Sequence, residues 1–170
     1  MALCLRKLEL KDVPFMLEWM RDPEINCFFQ FSPETMTEDK AKDYILKSQN
    51  DTENINLAVT NDSDEYLGTV SLKKIDLKSR HAEYAVVMRK SVIGTGAGSF
   101  GLQSMLKMAF VELKLNKVYA LVLDDNPRSY NYFLRNGFKF EGELRQHLMH
   151  RGKLKNVRWY SMMRCEYEAD

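Results

Sequence analysis

The sequence predicts a mixed α/β (α+β) domain organised around one parallel β-α-β unit, and three observations predict it. Ala82–Met88 and Val118–Leu123 are nearly continuous apolar runs, as strands buried on both faces require. Between them, Leu102, Met105, Leu106, Ala109, Phe110 and Leu113 recur at helical offsets, the strongest periodicity in the chain. Three glycines, Gly94, Gly96 and Gly98, stand where the first strand gives way to that helix.

The remaining elements follow in order. Leu3–Leu8 reads as a strand, and Asp12 then caps a helix carrying Val13, Met16, Leu17 and Met20 on one face, ended by Asp22-Pro23. An aromatic loop with Phe28, Phe29, Phe31 and Pro33 leads to a second helix from Thr37, with Ala41, Tyr44 and Ile45 inward. Ile55, Leu57 and Val59 alternate as a half-buried strand should, and Asn61-Asp62-Ser63-Asp64 turns the chain into an antiparallel partner over Glu65–Ile75. Lys78-Ser79-Arg80 is a polar turn before the β-α-β unit. A short helix runs from the Asn126 cap and Pro127 to Asn136-Gly137, and strands over Phe138–Leu144 and Val157–Cys165 close the chain.

A chain of 170 residues with 45% hydrophobic side chains supports one sizeable core, so a single domain over residues 1–170 is expected. The 25 basic residues nearly balance the 24 acidic ones, which excludes a global field drawing the molecule to nucleic acid or an anionic membrane. No long apolar run occurs, and the first residues show neither a signal-peptide core nor a small-residue cleavage site, so a soluble, cytoplasmic protein is expected. Cys4, Cys27 and Cys165 are widely spaced and the three histidines show no ligand spacing, so neither a disulfide framework nor a metal site is expected.

Gly94-Thr95-Gly96-Ala97-Gly98-Ser99 lies where backbone N–H groups and a helix dipole together hold a phosphate or pyrophosphate. No G-K-[ST] follows, which excludes a P-loop. Gly96-x-Gly98-x-x-Gly101 matches a dinucleotide fingerprint, with Asp124 near the place of a ribose-binding acid. Against that reading, Arg89–Ile93 separates strand from glycines and only one β-α-β unit is available.

The run Ala82–Met88, the glycine loop, Asn126-Pro127-Arg128-Ser129 and Gly137-Phe138 together resemble the GNAT superfamily of acetyl-CoA-dependent N-acetyltransferases. Leu5-Arg6, Asp12, Trp19-x-x-Asp22-Pro23 and Gly142-Glu143-Leu144-Arg145 look most like the branch holding ribosomal-protein N-terminal and amino-sugar acetyltransferases. The resemblance covers nearly the whole chain. It implies a GNAT fold: a mixed, mostly antiparallel sheet of about seven strands, a splayed central parallel pair, and helices on both faces. It implies acetyl-CoA as co-substrate and no metal. The pantetheine arm would bond main chain near Val86, Val87 and Met88, the pyrophosphate would rest on Ile93, Gly94, Thr95, Gly96, Ala97, Gly98 and Ser99, and Asn126, Ser129 and Phe133 would flank the thiol end. Two positions depart from the family pattern. Ile93 stands where Arg or Gln usually contacts phosphate, leaving Arg89, Lys90 or Thr95 to help; Phe133 stands where a tyrosine usually protonates the leaving thiolate, leaving water. Tyr130 and Tyr132 are read as ordinary packing.

An alkylamine with a pKa near 10 must lose a proton before it attacks a thioester. Glu83, on a strand expected to be buried, is the candidate base acting through water, with Arg80 or His81 as its partner in the purely structural reading. A backbone N–H near Met88 would stabilise the thioester oxygen. Arg145, His147, His150, Arg151, Lys153, Lys155 and Arg158 crowd the expected turn between the last two strands. With the Phe28, Phe29 and Phe31 loop, they incline the acceptor toward a nucleotide-linked amino sugar over a protein N-terminus. The expected function is direct acetyl transfer to a small-molecule or protein amine, compatible with a homodimer; the alternatives are a non-catalytic acyl-CoA-binding module and a dinucleotide-binding protein.

Overall fold

The computed structural model describes residues 2–29 and 35–168. Seven strands follow the order β1-β2-β3-β4-β5-β7-β6: β1 Cys4–Lys7, β2 Ile55–Thr60, β3 Tyr66–Asp76, β4 His81–Met88, β5 Lys117–Leu123, β6 Lys139–His150 and β7 Lys153–Met163. The helices are α1 Val13–Arg21, α2 Pro23–Asn26, α3 Glu38–Gln49, α4 Ala97–Lys107, α5 Pro127–Arg135 and α6 Arg164–Tyr167. The chain forms two compact units, residues 1–74 with 85–105 and residues 75–84 with 106–170. Strand β4 contributes His81–Tyr84 to the second unit and Ala85–Met88 to the first.

In the first unit, β2 pairs antiparallel with both β1 and β3. The β2–β3 turn forms because Asn61 Oδ1 accepts from the Ser63 and Glu65 amides, each at 3.0 Å, and Asp64 takes φ 59°. The expected half-buried alternation in β2 is replaced by burial of Asn56, Ala58, Val59 and Thr60. The reason is that helices cover both faces. Tyr44 on α3 donates its hydroxyl to Asn56 Oδ1 (2.9 Å), while Gly101 on α4 lies over Val59 and Val70, where a Cβ would stand 2.7 Å from Val70 Cγ1. Leu8, Met16, Trp19, Met20, Ile45, Ala58 and Tyr66 form the core on the α1–α3 side.

Asp12 is not the side-chain cap the sequence suggests. Its backbone is already helical, and its carboxylate, 1% exposed, accepts two 2.8 Å bonds from the Arg6 guanidinium and one from the Glu9 amide. Phe29 packs on Trp19 with ring centroids 5.5 Å apart, so it belongs to the core; Phe31 and Pro33 lie outside the described residues.

In the second unit, β4 pairs parallel with β5 at His81↔Lys117, Ala82↔Val118 and Glu83↔Tyr119. Strand β5 pairs antiparallel with β7 along its whole length. The last two strands reach further than their apolar content suggests: β6 and β7 form one long hairpin turned by Arg151 and Gly152, both at positive φ. Of the basic residues expected to crowd a turn, His150, Lys153, Lys155 and Arg158 lie on the ladder and Arg151 in the turn itself. A register jump between Leu144 and Leu148 holds Arg145–His147 as a bulge, with Gln146 at φ 48° and its amide donating to Asn156 Oδ1 (2.9 Å). Cys165 lies in α6, past the end of β7. After α4 the chain makes a π turn over Met108–Glu112. Asn126 does cap α5, its Oδ1 accepting from the Ser129 amide (3.2 Å). No helix among the described residues is long and apolar enough to cross a membrane.

Candidate active site

In the first unit, Ala85, Val86, Val87 and Met88 are half-buried, unlike Ala82 and Tyr84 earlier in the same strand, which are fully buried. This strand end is held from the β3 side. The Arg89 amide donates to Leu67 O (2.9 Å), and Gly68 permits an approach that no other residue would: a Cβ there would collide with the Val87 carbonyl oxygen and stand 2.9 Å from Met88 Cα. The Arg89 side chain locks the corner. It donates to Glu18 (2.8 Å), Glu65 (2.5 Å) and the Tyr66 carbonyl (3.2 Å), and its guanidinium lies 4.6 Å from the Phe15 ring centre.

After a short 3₁₀ turn over Lys90–Val92 comes the glycine loop. Gly94 (φ 86°) and Gly96 (φ 92°) occupy a backbone region that L side chains rarely adopt, with open space where a Cβ would be. Their role is conformational: they set the loop's path, while Ala97, buried, and Gly98 and Ser99, half-buried, begin α4. Phe100 N–H to Gly96 O (2.9 Å) is the bond that opens the helix. The side chains that sequence offered in place of an arginine at Ile93 are already engaged: Arg89 as above, Lys90 with Glu24 (2.8 Å), and the Thr95 hydroxyl with Val92 O (2.8 Å). Ile93 is itself exposed. What the loop itself presents is main chain and the start of a helix.

In the second unit, Glu83 is half-buried rather than buried, and its register partner is Tyr119. Phe133 is 3% exposed, enclosed by the rings of Tyr84, Tyr132, Phe138 and Tyr160. Next to it, the Tyr132 hydroxyl lies 3.4 Å from the Tyr84 hydroxyl, and burial pushes the Tyr132 phenol up to about 12 against the opposing effect of that hydrogen bond. Tyr130 lies under the Arg158 guanidinium, 4.8 Å from its ring centre. Asn126 and Ser129 meet as cap and capped amide. Several of the basic residues are paired: Lys155 with Asp125, and Arg158 with Glu143 (3.3 Å), whose other oxygen accepts from Asn156. No cluster among the described residues has the composition of a metal site.

Residues 2–139 match the family model described as an acetyltransferase (GNAT) domain. The chain belongs to the GNAT acetyltransferase family. It is an N-acetyltransferase, and acetyl-CoA is its co-substrate. Over 97% of its length it is 28% identical to the N-acetyltransferase p20 of Bacillus licheniformis, covering 94% of that protein. It is 24% identical to the spermidine N(1)-acetyltransferase of Vibrio cholerae, over 97% of this chain and 95% of that one. A putative ribosomal N-acetyltransferase of Bacillus subtilis is 30% identical over 61% of this chain and 56% of its own. Among solved structures, the spermidine N-acetyltransferase of Vibrio cholerae in complex with CoA and spermine superposes with a TM-score of 0.86 at 23% identity, covering 98% of both chains. The GNAT fold and the seven-stranded sheet expected from sequence are therefore observed.

Sequence reasoning missed Gly68 and the Arg89 corner. A glycine inside the β-rich Tyr66–Asp76 segment was a usable signal for a close backbone approach; the partners of Arg89, 71 and 24 residues away, left none. Two outcomes are expected here. Gly68→Ala must part β3 from the end of β4, so stability falls by roughly 1–3 kcal/mol in denaturant titration, and turnover drops at temperatures where the variant is fully folded. Normal turnover in that folded variant would show that the strand end does not serve catalysis. Thr95→Glu puts a like charge on the loop without backbone strain and weakens CoA binding about tenfold or more in calorimetry, whereas Thr95→Gln stays close to the parent. Equal affinities would move the pyrophosphate elsewhere.

Proposed function

We propose that this GNAT enzyme acetylates a small aliphatic polyamine, with the CoA pyrophosphate on residues 94–99 and the pantetheine arm along Val86–Met88. The observation that supports the loop assignment is the pair of positive-φ glycines, Gly94 and Gly96, leading into the first turn of α4. The acceptor rests on likeness over 97% of the chain to the spermidine N(1)-acetyltransferase of Vibrio cholerae, whereas the likeness to a ribosomal N-acetyltransferase spans 61% of it. The earlier inclination to a nucleotide-linked amino sugar loses its grounds. Part of its basic stretch lies on a strand ladder, with Lys155 and Arg158 ion-paired, and its aromatic loop sends Phe29 into the core.

The chemistry is a direct displacement. The neutral amine's lone pair forms a bond to the thioester carbon, the N–H proton passes through water to Glu83, and the C–S bond breaks to release the CoA thiolate. A backbone N–H near Met88 stabilises the oxyanion in between. Phe133 carries no hydroxyl and sits in aromatic packing, so the thiolate takes its proton from water.

A purified sample offered acetyl-CoA with spermidine, spermine, an amino-sugar nucleotide and a peptide with a free N-terminus is expected to release CoA thiol fastest with a polyamine. Faster turnover of the sugar nucleotide or peptide overturns the acceptor assignment. Glu83→Gln should lower kcat strongly near neutral pH and less at pH 9–10, where more of the amine is already neutral. A uniform loss at every pH would remove the base role.

A further inference from the structure

Arg89, the residue just past the end of β4, joins that strand end to α1 and β3 within the first unit. Phe15 and Glu18 share one face of α1, and the guanidinium meets both: it lies 4.6 Å from the ring centre of Phe15, and its Nε donates to Glu18 Oε2 (2.8 Å). Its Nη1 is shared between Glu65 Oε1 (2.5 Å), just ahead of β3, and the Tyr66 carbonyl (3.2 Å). These partners are themselves fixed. Phe15 stacks on Tyr66 at 6.5 Å and 16°, and the Asn61 side chain bonds both the Glu65 amide (3.0 Å) and the Glu65 carboxylate (3.4 Å).

Lys90, next in the chain, shows the ordinary alternative. Its ion pair with Glu24 (2.8 Å) leaves the two side chains 55% and 64% exposed, and a pair of that kind holds little in place. Arg89 is 14% exposed at its side chain, and its planar fork meets its partners in one orientation only. One peptide unit separates it from Met88. Gly68 sets how closely β3 and β4 approach, whereas the fork opposes sliding of the strand end along its neighbour.

We propose that Arg89 is a positioning residue for acetyl transfer: by tying Met88 to α1 and β3, it sets where Val86–Met88 present main chain to the pantetheine arm, and so governs acetyl-CoA binding without touching the cofactor. The inference rests on the pantetheine reading above and goes beyond it by naming what holds that main chain in place. An arm lying beside a strand bonds N–H and C=O groups at fixed spacing, and such bonds weaken once lengthened by a few tenths of an ångström. A strand end free to slide forfeits them. Lysine is no substitute, because one ammonium cannot bond Glu18, Glu65 and the Tyr66 carbonyl in a single plane while lying on the Phe15 ring.

Arg89→Lys keeps the positive charge between Glu18 and Glu65 and removes the fork. Its affinity for CoA in calorimetry should fall about tenfold, as small misplacements of a binding group cost. The KM for acetyl-CoA rises in step, while that for the amine stays within about twofold of the parent. Adenosine 3′,5′-bisphosphate, which lacks the pantetheine arm, is expected to bind variant and parent equally. Arg89→Gln combined with Glu18→Gln and Glu65→Gln leaves no stranded charge and should show the same selective loss. In the ¹⁵N-labelled parent, the Val86, Val87 and Met88 amide signals move on saturation with CoA. Unchanged CoA affinity in the folded variants, with those signals moving in the parent, overturns the positioning role and leaves the pantetheine reading standing. Equal losses for CoA and the bisphosphate overturn it too, because the guanidinium then supports the unit as a whole. Signals that stay in place in the parent at saturating CoA remove the pantetheine reading and the proposal together.

Discussion

The close approach of β3 to the end of β4 is the constraint on which the first unit's strand end rests. Ala85–Met88 are only half-buried, so this end is held chiefly from the β3 side. Gly68 lets the backbone of Val87 and Met88 come nearer than any side chain allows, and the Arg89 amide extends the attachment by bonding Leu67 O. The guanidinium then ties the strand end to Glu18 on α1 and Glu65 at the start of β3. Arg89 is only 14% exposed at its side chain, and its guanidinium is engaged by two carboxylates. The loop that follows takes a path that depends on glycine, because Gly94 and Gly96 stand at positive φ.

What was legible in the sequence was whatever depends on short-range pattern. Apolar runs placed β4 and β5, the three-four spacing placed α4, and Asn126-Pro127 placed the start of α5 where Asn126 does cap it. Local pattern misled where tertiary partners override it. Asp12 looks like a cap because it precedes a helix, but Arg6, six residues earlier on β1, claims both carboxylate oxygens. Residues 145–156 look like a charged loop because alternation is masked by long basic side chains that lie along a ladder with exposed faces. The half-buried alternation read into β2 failed because the pattern assumed one wet face and helices cover both.

At the candidate site the same division holds. The glycine loop, Asn126 and Ser129 could be named because they are contiguous in the chain. The residues that steady the strand end, and the rings that line one face of the second unit, come from segments dozens of residues apart. Only strand register brings His81, Tyr119 and Trp159 to one side, where their rings pack on one another, and a one-residue slip of β7 against β5 would send Trp159 to the opposite face.

Charge placement bears on which amine such an enzyme would accept. A cationic acceptor is disfavoured near uncompensated lysines and arginines, and a count of basic residues over 145–158 makes that stretch look hostile to one. Pairing changes the balance: the Lys155 ammonium beside Asp125 holds that carboxyl below its ordinary range, and Arg158 is paired with Glu143. Each such pair withdraws a positive charge from the field felt at a distance comparable to the screening length, about 8–10 Å at physiological ionic strength.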